Sequence, residues 1–208
     1  MQVITISREF GSGGRELGKR LADELGYAYY DKEIVTALAK QSGLDEEYIE
    51  KVIEQGVPKH YPITYGRTFS SNFTFQYQHS KTELLLKQQQ ILKELAQKEN
   101  CVIVGRGADV ILDEHCPFNL FIYADMSAKV IRCHKYADGQ EKLTDHELKM
   151  KIRQIDHGRK QYYELLKGGK WGSKENYHLC INTTGIEIKE MIPALSQYAQ
   201  NWFRRNEK

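Results

Sequence analysis

The sequence predicts an α/β fold, a doubly wound and mostly parallel five-stranded sheet with helices on both faces. Short apolar runs are continuous and do not alternate with polar residues, as expected of parallel strands that helices cover on both sides. Helical patterns lie between these runs, and alternating strands and helices favour right-handed crossover connections. The predicted strands span residues 3–7, 27–30, 101–104, 119–123 and 177–182.

Two helices are predicted from leucine spacing. Leu17, Leu21 and Leu25 recur every fourth residue, and Gly26 provides a natural end for the helix that carries them. A second helix is predicted over residues 81–98, where leucines and isoleucines share one face. Both helices therefore have an apolar side that can pack against the sheet.

Two further helices are predicted in the second half of the chain. Thr144 and Glu147 form a capping-box pattern, which opens a helix that runs toward Leu166. Apolar residues from Ile188 onward predict a C-terminal helix, in which Pro193 removes one backbone donor. We therefore expect that helix to kink at the proline or to begin late.

Length and composition narrow the function classes. The 208 residues are 40% hydrophobic and 28% charged, and residues 1–208 are expected to form one domain. A net charge of +2 provides no basic field for nucleic acid, so nucleic-acid binding is not expected. The four cysteines show no metal-binding spacing, and no 18-residue apolar run or signal segment is present. A cytoplasmic protein without membrane contact is expected, whereas the oligomeric state is left open.

One long stretch shows no regular pattern. Residues 56–80 contain six scattered aromatic residues and no clear periodicity. A loop of this length in a compact domain is usually functional or contains an element that the pattern does not reveal.

The turn after the first strand is rich in glycine. Gly11, Ser12, Gly13 and Gly14 lie between the end of that strand and the start of the first helix. Glycines allow the backbone to turn its N–H groups inward, and the helix N-terminus adds a partial positive charge. Open parallel sheets bind ligands at the carboxyl ends of their strands. The turn therefore favours phosphate binding over a plain tight turn.

This turn resembles the P-loop of nucleoside monophosphate kinases, and the chain as a whole resembles the cytidylate kinase-like family. Matching segments lie at residues 29–31, 104–107, 171–172 and 182–184. The resemblance implies the P-loop kinase fold, phosphoryl transfer, and ATP and Mg²⁺ as cofactors. It also implies small-molecule nucleotides as binding partners.

The turn departs from the family's G-x-x-x-x-G-K-[ST] pattern at three positions. Arg8 stands in place of the first glycine, Gly14 in place of the lysine, and Arg15 in place of the hydroxyl residue. Arg8 or Arg15 can supply the missing charge, because guanidinium binds phosphate in bidentate fashion. Arg15 can equally face solvent, and Ser12 is a candidate oxygen ligand beside the metal. A second match, Gly13–Lys19, places its lysine inside the first helix, so we interpret Lys19 as a solvated residue.

Two residues at strand ends are candidates for binding the acceptor. Asp31 and Arg106 each follow a predicted strand, so both lie at the edge of the sheet that carries the glycine turn. The family binds its monophosphate with the equivalent arginine. A helix N-cap is an equally good role for Asp31, and a structural salt bridge is the alternative for Arg106.

A helix–loop–helix near residues 128–166 resembles the lid of monophosphate kinases. Arg132, Arg153 and Arg159 are its expected lid cations, and Asp156 with Arg159 matches the family's Asp-x-x-Arg spacing. Arginine suits this role because its charge persists at all physiological pH values. The segment near residues 56–80 lies where the family carries its acceptor-binding insertion.

Together these features predict an ATP-dependent phosphotransferase of the cytidylate kinase type. The alternatives are a catalytically weak nucleotide-binding module and a kinase of a metabolite that is not a nucleotide. Arg15, Arg132, Arg153 and Arg159 are the expected catalytic residues. Asp31, Arg106 and Asp156 are expected to bind the acceptor. The residues expected to bind ATP are Arg8, Gly11, Ser12, Gly13, Gly14 and Arg15.

Overall fold

The fold is taken from a computed structural model of the chain. The structure describes residues 1–31, 34, 36, 37, 40, 72–136 and 143–206.

The predicted α/β fold class is confirmed, because five parallel strands form one sheet with helices on both faces. The strand order is β2-β3-β1-β4-β5, and every neighbouring pair is parallel. Since β1 lies between β3 and β4, the loop after β1 is at the centre of the ligand-binding edge. The strands are β1 (Val3–Arg8), β2 (Ala28–Tyr30), β3 (Cys101–Val104), β4 (Phe118–Tyr123) and β5 (Leu179–Asn182).

In the described part of the chain, six α-helices connect and cover these strands. The 3₁₀ turns Asp113–His115 and Lys174–Asn176 precede β4 and β5. Of the described helices, none is both long enough and apolar enough to cross a membrane. The helices are α1 (Gly14–Leu25), α2 (Asn72–Lys98), α3 (Ala108–Ile111), α4 (Met126–Lys135), α5 (Asp145–Lys167) and α6 (Ile188–Asn206).

Each face of the sheet has its own apolar core. On one face, Ile4 and Ile6 of β1 pack with Leu17 and Leu21 of α1 and with the apolar side of α6. On the other face, apolar residues of β1 and β3 pack with α2, α3 and α5. The face of β1 that packs toward α5 becomes polar at the carboxyl end of the strand, where the side chains of Thr5 and Ser7 are both buried. This polar end leads into the candidate site.

The structure corrects one prediction about the helices and decides another. The helix predicted over residues 81–98 begins at Asn72, so the prediction of an irregular stretch is wrong for residues 72–80. Residues 56–71 lie outside the described part of the chain. An established helix propagates through residues of middling propensity, because each added residue gains a hydrogen bond. Of the two alternatives for the C-terminal helix, a kink or a late start, the late start is excluded, since the helix begins at Ile188 and Pro193 lies inside α6.

The capping box that opens α5 is confirmed. The Thr144 hydroxyl accepts from the Glu147 backbone N–H at 3.3 Å, and the Glu147 carboxylate accepts from the Thr144 backbone N–H at 2.8 Å. These two bonds satisfy donors that a helix start otherwise leaves without partners.

Replacing Thr144 by Ala should therefore lower the free energy of unfolding by about 1 kcal/mol. Urea denaturation measures this change, and Thr144→Ser, which keeps the capping oxygen, is the matched control. An alanine variant as stable as the serine variant would show that the cap contributes nothing.

Candidate functional site

The glycine loop, residues 8–14, joins β1 to α1 and has a tightly constrained backbone. Gly11 and Gly13 adopt φ values of 74° and 81°, in the left-handed region that other residues rarely enter. A Cβ at Gly14 would lie 2.6 Å from the Cβ of Arg8, so the start of α1 touches β1 too closely for any side chain. No described side chain caps α1 at Gly13. The first N–H groups of α1 therefore suit an anion.

Two arginines of the loop region converge on one carboxylate. Asp31, at the end of β2, is only 2% exposed. It lies 2.5 Å from Arg15 Nε and 3.7 Å from Arg8 Nη2. Both residues that were expected to replace the missing lysine charge thus contact Asp31. Arg8 is buried, like Asp31. The Arg15 side chain, by contrast, is 56% exposed and lies at the mouth of the loop.

Ser12 stabilises the glycine loop by two hydrogen bonds. Its hydroxyl donates to the Glu9 carbonyl at 2.8 Å, and its own carbonyl accepts from the Thr183 hydroxyl at 2.7 Å. Ser12 is fully buried. The hydroxyl expected beside a metal therefore has a partner within the loop. No group of three His, Cys, Asp or Glu that could hold a metal occurs among the described residues. The described part of the loop therefore offers no side-chain oxygen that is free to bind Mg²⁺.

Two of the expected lid arginines bind the backbone of the glycine loop. Arg132 of α4 donates from Nη1 to the Gly11 carbonyl at 2.8 Å and from Nη2 to the Thr183 carbonyl at 3.3 Å. Arg159 of α5 donates to the Arg8 carbonyl at 3.1 Å. The helices predicted as a lid thus hold the loop by carbonyl oxygens. Arg153, by contrast, is exposed on α5.

A buried ion-pair network strengthens this attachment. Asp156 of α5 accepts from the Phe10 N–H at 2.6 Å and lies 3.3 Å from Lys129 Nζ. Lys129 of α4 is 5% exposed and also pairs with Glu9 at 2.6 Å. Burial raises the pKa of Asp156, while the Phe10 N–H and Lys129 act in the opposite direction. Asp156, expected to bind the acceptor, thus contacts the loop and α4.

A pocket opens beside the loop at the carboxyl ends of β1 and β3. Its empty volume, including the open mouth, is about 410 Å³. Three arginines line it, and no Asp or Glu is among the described residues that do so. We call it the arginine pocket. Its lining residues are Ser7, Arg8, Gly105, Arg106, Gly107, Arg159, Tyr162, Tyr163 and Trp171.

Arg106 is held in the pocket wall in a strained conformation. It is 4% exposed and has a φ of 61°, between two glycines that are also left-handed. Such backbone strain persists only where surrounding contacts fix it. Gln88 of α2 supplies one such contact, because its amide donates to the Arg106 carbonyl at 2.9 Å and to the Tyr162 hydroxyl at 2.6 Å. An arginine fixed in this way suits an anionic ligand.

Several buried polar residues near the pocket were missed by the sequence analysis. Asp109, on α3, is 4% exposed and accepts from the Ser7 hydroxyl at 3.5 Å. Burial raises its pKa to about 6, although Lys167, Tyr163 and Ser7 favour the charged form. Ser7 could have been identified as a candidate site residue, because it is a polar residue at the end of the apolar run of β1. Asp109 lies two residues after the Gly–Arg–Gly turn, in the helix that follows it. The sequence does not indicate its burial, because the residues that cover it belong to α5, far along the chain.

The raised pKa of Asp109 makes stability depend on pH. Between pH 4 and 6 the carboxyl is protonated in the folded protein and ionised in the unfolded chain, so stability falls as pH rises through this window. The full cost is on the order of 3 kcal/mol above pH 7. Asp109→Asn should therefore be more stable than the unchanged protein at pH 8, by up to that amount, and the difference should shrink to about a third of it at pH 4.5 and vanish below the ordinary pKa of 3.8. Thermal unfolding across this range measures it.

Asp113→Asn is the matched control, because Asp113 is exposed next to the same helix. A stability difference for Asp109→Asn that stayed constant from pH 4.5 to pH 8 would contradict the buried-carboxyl account.

Two of the segments that resemble the family also contact this site. Trp171 packs edge-on against Phe121 at 5.3 Å between ring centroids and lines the pocket. Thr184 accepts from the Asp125 N–H at 2.8 Å, beside the Thr183 contact to the loop. Residues 171–172 and 182–184 thus support the pocket and the glycine loop.

Comparison with solved structures shows the same fold. An uncharacterized protein from Eubacterium ventriosum aligns with a TM-score of 0.67 at 22% identity, covering 96% of this chain and 99% of that one. Shikimate kinase from Bacteroides thetaiotaomicron aligns with a TM-score of 0.56 at 18% identity, covering 98% of each chain. A gluconokinase from Sinorhizobium meliloti aligns with a TM-score of 0.53 at 14% identity, covering 98% and 97%.

The family comparison covers most of the sequence. None of the curated proteins compared with this chain matched it. The model of the Cytidylate kinase-like family matches residues 3–185, which include all five strands, the glycine loop and the arginine pocket. The chain therefore belongs to the cytidylate kinase-like family.

Proposed function

We propose that this protein transfers the γ-phosphoryl group of ATP to a small anionic acceptor, with CMP as the first candidate. The observation that carries the proposal is the position of two anion sites side by side. The glycine loop begins at Arg8, and the Arg8 side chain also lines the arginine pocket. Phosphoryl transfer asks the protein mainly to position two anions and to neutralise their charge.

Each group has a role in this proposal. Backbone N–H groups at the start of α1 hold the triphosphate, and Arg15 at the loop mouth adds a positive charge. Arg106 binds the anionic group of the acceptor within the arginine pocket. Arg132 and Arg159 fix the loop through its carbonyls, and Arg159 also presents a guanidinium to the pocket. In this arrangement Arg8 lies between the γ-phosphate of ATP and the bound acceptor.

Acceptors other than nucleotides are the second candidates. Two of the aligned structures are titled shikimate kinase and gluconokinase, and the arginine pocket has the charge for a carboxylate as well as for a phosphate. A binding module without turnover is the third candidate, because a glycine occupies the position of the catalytic lysine.

Product formation tests the proposal. The protein is incubated with ATP and Mg²⁺ and, separately, with CMP, the other nucleoside monophosphates, shikimate and gluconate, and a reaction without acceptor is the control. Chromatography should reveal ADP together with one phosphorylated acceptor, CDP in the leading case. ADP formation that never exceeds the control, with ATP still bound, would favour the binding module over a kinase.

Arg15→Ala separates turnover from binding. Since Arg15 is 56% exposed, solvent screens its charge, and we expect a fall in kcat of roughly tenfold with a smaller change in ATP affinity. Initial rates and ATP titrations measure the two effects. Arg20→Ala, one helical turn along the exposed side of α1, is the control. Unchanged turnover in Arg15→Ala would exclude Arg15 as the replacement for the lysine.

A further inference from the structure

Hydrogen bonds occupy the backbone carbonyl groups of the glycine loop and leave several of its N–H groups open. The Ser12 carbonyl accepts from the Thr183 hydroxyl at 2.7 Å. The N–H groups of Gly13 and Gly14, by contrast, donate to none of the residues that the structure describes. This division leaves N–H groups as the part of the loop that can meet an anion. The carbonyl groups that accept are those of Arg8, Glu9, Gly11, Ser12 and Gly13.

Thr183 fixes the orientation of one peptide group in this loop. In a trans peptide, the carbonyl of one residue and the N–H of the next point in opposite directions. Because Thr183 holds the Ser12 carbonyl on its own side, the Gly13 N–H points away from Thr183. The next carbonyl, that of Gly13, is fixed by α1, since it accepts from the Leu17 N–H at 2.9 Å. The peptide between Ser12 and Gly13 is therefore the one whose orientation depends on Thr183.

Without the Thr183 hydroxyl this peptide group could turn over at low cost. Gly13 has a φ of 81°, and glycine adopts positive and negative φ about equally readily. Half a turn of the peptide exchanges the positions of the Ser12 carbonyl and the Gly13 N–H. The carbonyl oxygen would then face a bound triphosphate and repel it. No described group other than Thr183 donates to the Ser12 carbonyl, so this one hydrogen bond favours the orientation that suits an anion.

Thr183 is itself held in place. It is fully buried, and its N–H donates to the Tyr123 carbonyl at 3.0 Å. Its carbonyl accepts from Arg132 Nη2 at 3.3 Å, while Nη1 of the same guanidinium donates to the Gly11 carbonyl at 2.8 Å. These bonds join α4, the end of β5 and the glycine loop. The Thr183 hydroxyl therefore has a fixed position relative to the loop.

We propose that Thr183 is a positioning residue of the triphosphate site, which keeps the Gly13 N–H directed toward the phosphate groups by holding the Ser12 carbonyl. Thr183 acts through the glycine loop and is not itself a contact of ATP. This inference rests on the proposed function only for the binding of a triphosphate at the glycine loop. It requires neither an acceptor nor turnover.

Thr183→Val tests the inference, because valine has nearly the same shape and lacks the hydroxyl. With the full chain, ATP and inorganic tripolyphosphate are each used to displace a fluorescent ATP analogue. The variant should bind both ligands on the order of tenfold more weakly, because a buried carbonyl loses its donor. The two losses should be equal, since tripolyphosphate consists of the phosphate groups alone. Thr183→Ser, which keeps the hydroxyl, should restore both affinities.

Thr5→Val is the matched control. Thr5 is buried in β1, and its hydroxyl donates to Asn119 Oδ1 at 2.6 Å, so this variant also loses a buried hydrogen bond. It should lower the free energy of unfolding to a similar extent and leave both affinities unchanged. Urea denaturation compares the stabilities and verifies that each variant is folded. A purely structural role of Thr183 would give the two valine variants equal affinities.

The Gly13 amide gives a direct spectroscopic readout. Tripolyphosphate should shift the Gly13 amide proton resonance downfield in the unchanged protein, because this N–H then donates to an anion. The shift should be largely lost in Thr183→Val. Arg132→Lys is a second variant, which keeps the charge but cannot bond two carbonyl groups at once. It should weaken the binding of tripolyphosphate in the same direction.

The outcomes separate this inference from the proposed function. Unchanged affinity for tripolyphosphate in folded Thr183→Val, or a Gly13 amide that does not respond to tripolyphosphate in the unchanged protein, would overturn the inference. A loss confined to ATP would also overturn it, because Thr183 would then contact the adenosine. Equal losses for both ligands without any phosphorylated acceptor would support the inference and contradict the kinase. Turnover together with unchanged affinities in Thr183→Val would do the reverse.

Discussion

Replacing Arg106 by Gln should reduce kcat/KM for the anionic acceptor by about two to three orders of magnitude. Arg106 is 4% exposed and lines the pocket where that anion is expected to bind. Losing one partner of a buried, hydrogen-bonded charge pair costs about 2–5 kcal/mol, which corresponds to this range of rates. Steady-state kinetics with the acceptor varied at saturating ATP measures the change.

Two control variants sharpen this result. Arg106→Lys keeps the charge but loses the planar fork, so it should recover only part of the activity. Arg204→Gln removes an exposed arginine of α6 and should change kcat/KM less than twofold. If Arg106→Gln retained normal kinetics while folded, the pocket would not be the acceptor site. The KM for ATP should stay nearly constant, because Arg106 is not part of the glycine loop.

Replacing Gly14 by Ala should weaken ATP binding by at least tenfold and lower the free energy of unfolding by about 1–3 kcal/mol. The added Cβ would overlap the Cβ of Arg8 at 2.6 Å and approach the Cβ of Ile122 at 3.3 Å. Both of these atoms belong to the sheet side of the site and cannot rotate away. The first turn of α1 must therefore shift outward, which opens the loop. ATP titration and urea denaturation measure the two effects.

Gly26→Ala is the matched control for this change. Gly26 ends α1 with a φ of 68°, and a Cβ there meets nothing within 4 Å. Alanine should cost about 1 kcal/mol of stability through backbone strain and leave ATP affinity unchanged. Equal loss of ATP affinity in both variants would show that the close contact between Gly14 and Arg8 does not shape the loop.

The fold could be predicted from the sequence because its signals are local. The apolar run of Cys101–Val104 matches β3 at both ends, and the capping box at Thr144 marks the start of α5. Boundaries were less well predicted where propensity is weak, as at Asn72, where α2 begins nine residues before the predicted start at residue 81. Those residues become helical because the helix that follows them extends toward the N-terminus.

The candidate site was predictable only in part. Gly11, Gly13 and Gly14 are recognisable because their position between strand and helix has few structural solutions. The contacts of Arg132 with Gly11 and of Asp156 with Phe10 were not predictable, because they join residues more than 120 positions apart. Spacing alone shows which arginines share a helix face, and it does not show whether they meet a phosphate or a carbonyl oxygen.

The most direct test of the central claim is a crystal structure with a non-hydrolysable ATP analogue. We predict that its triphosphate lies over residues 11–14 at the start of α1, with the γ-phosphate directed toward the arginine pocket. The pocket itself should remain open for the acceptor beside Arg106. A triphosphate bound inside the arginine pocket, or held away from the glycine loop, would contradict the account.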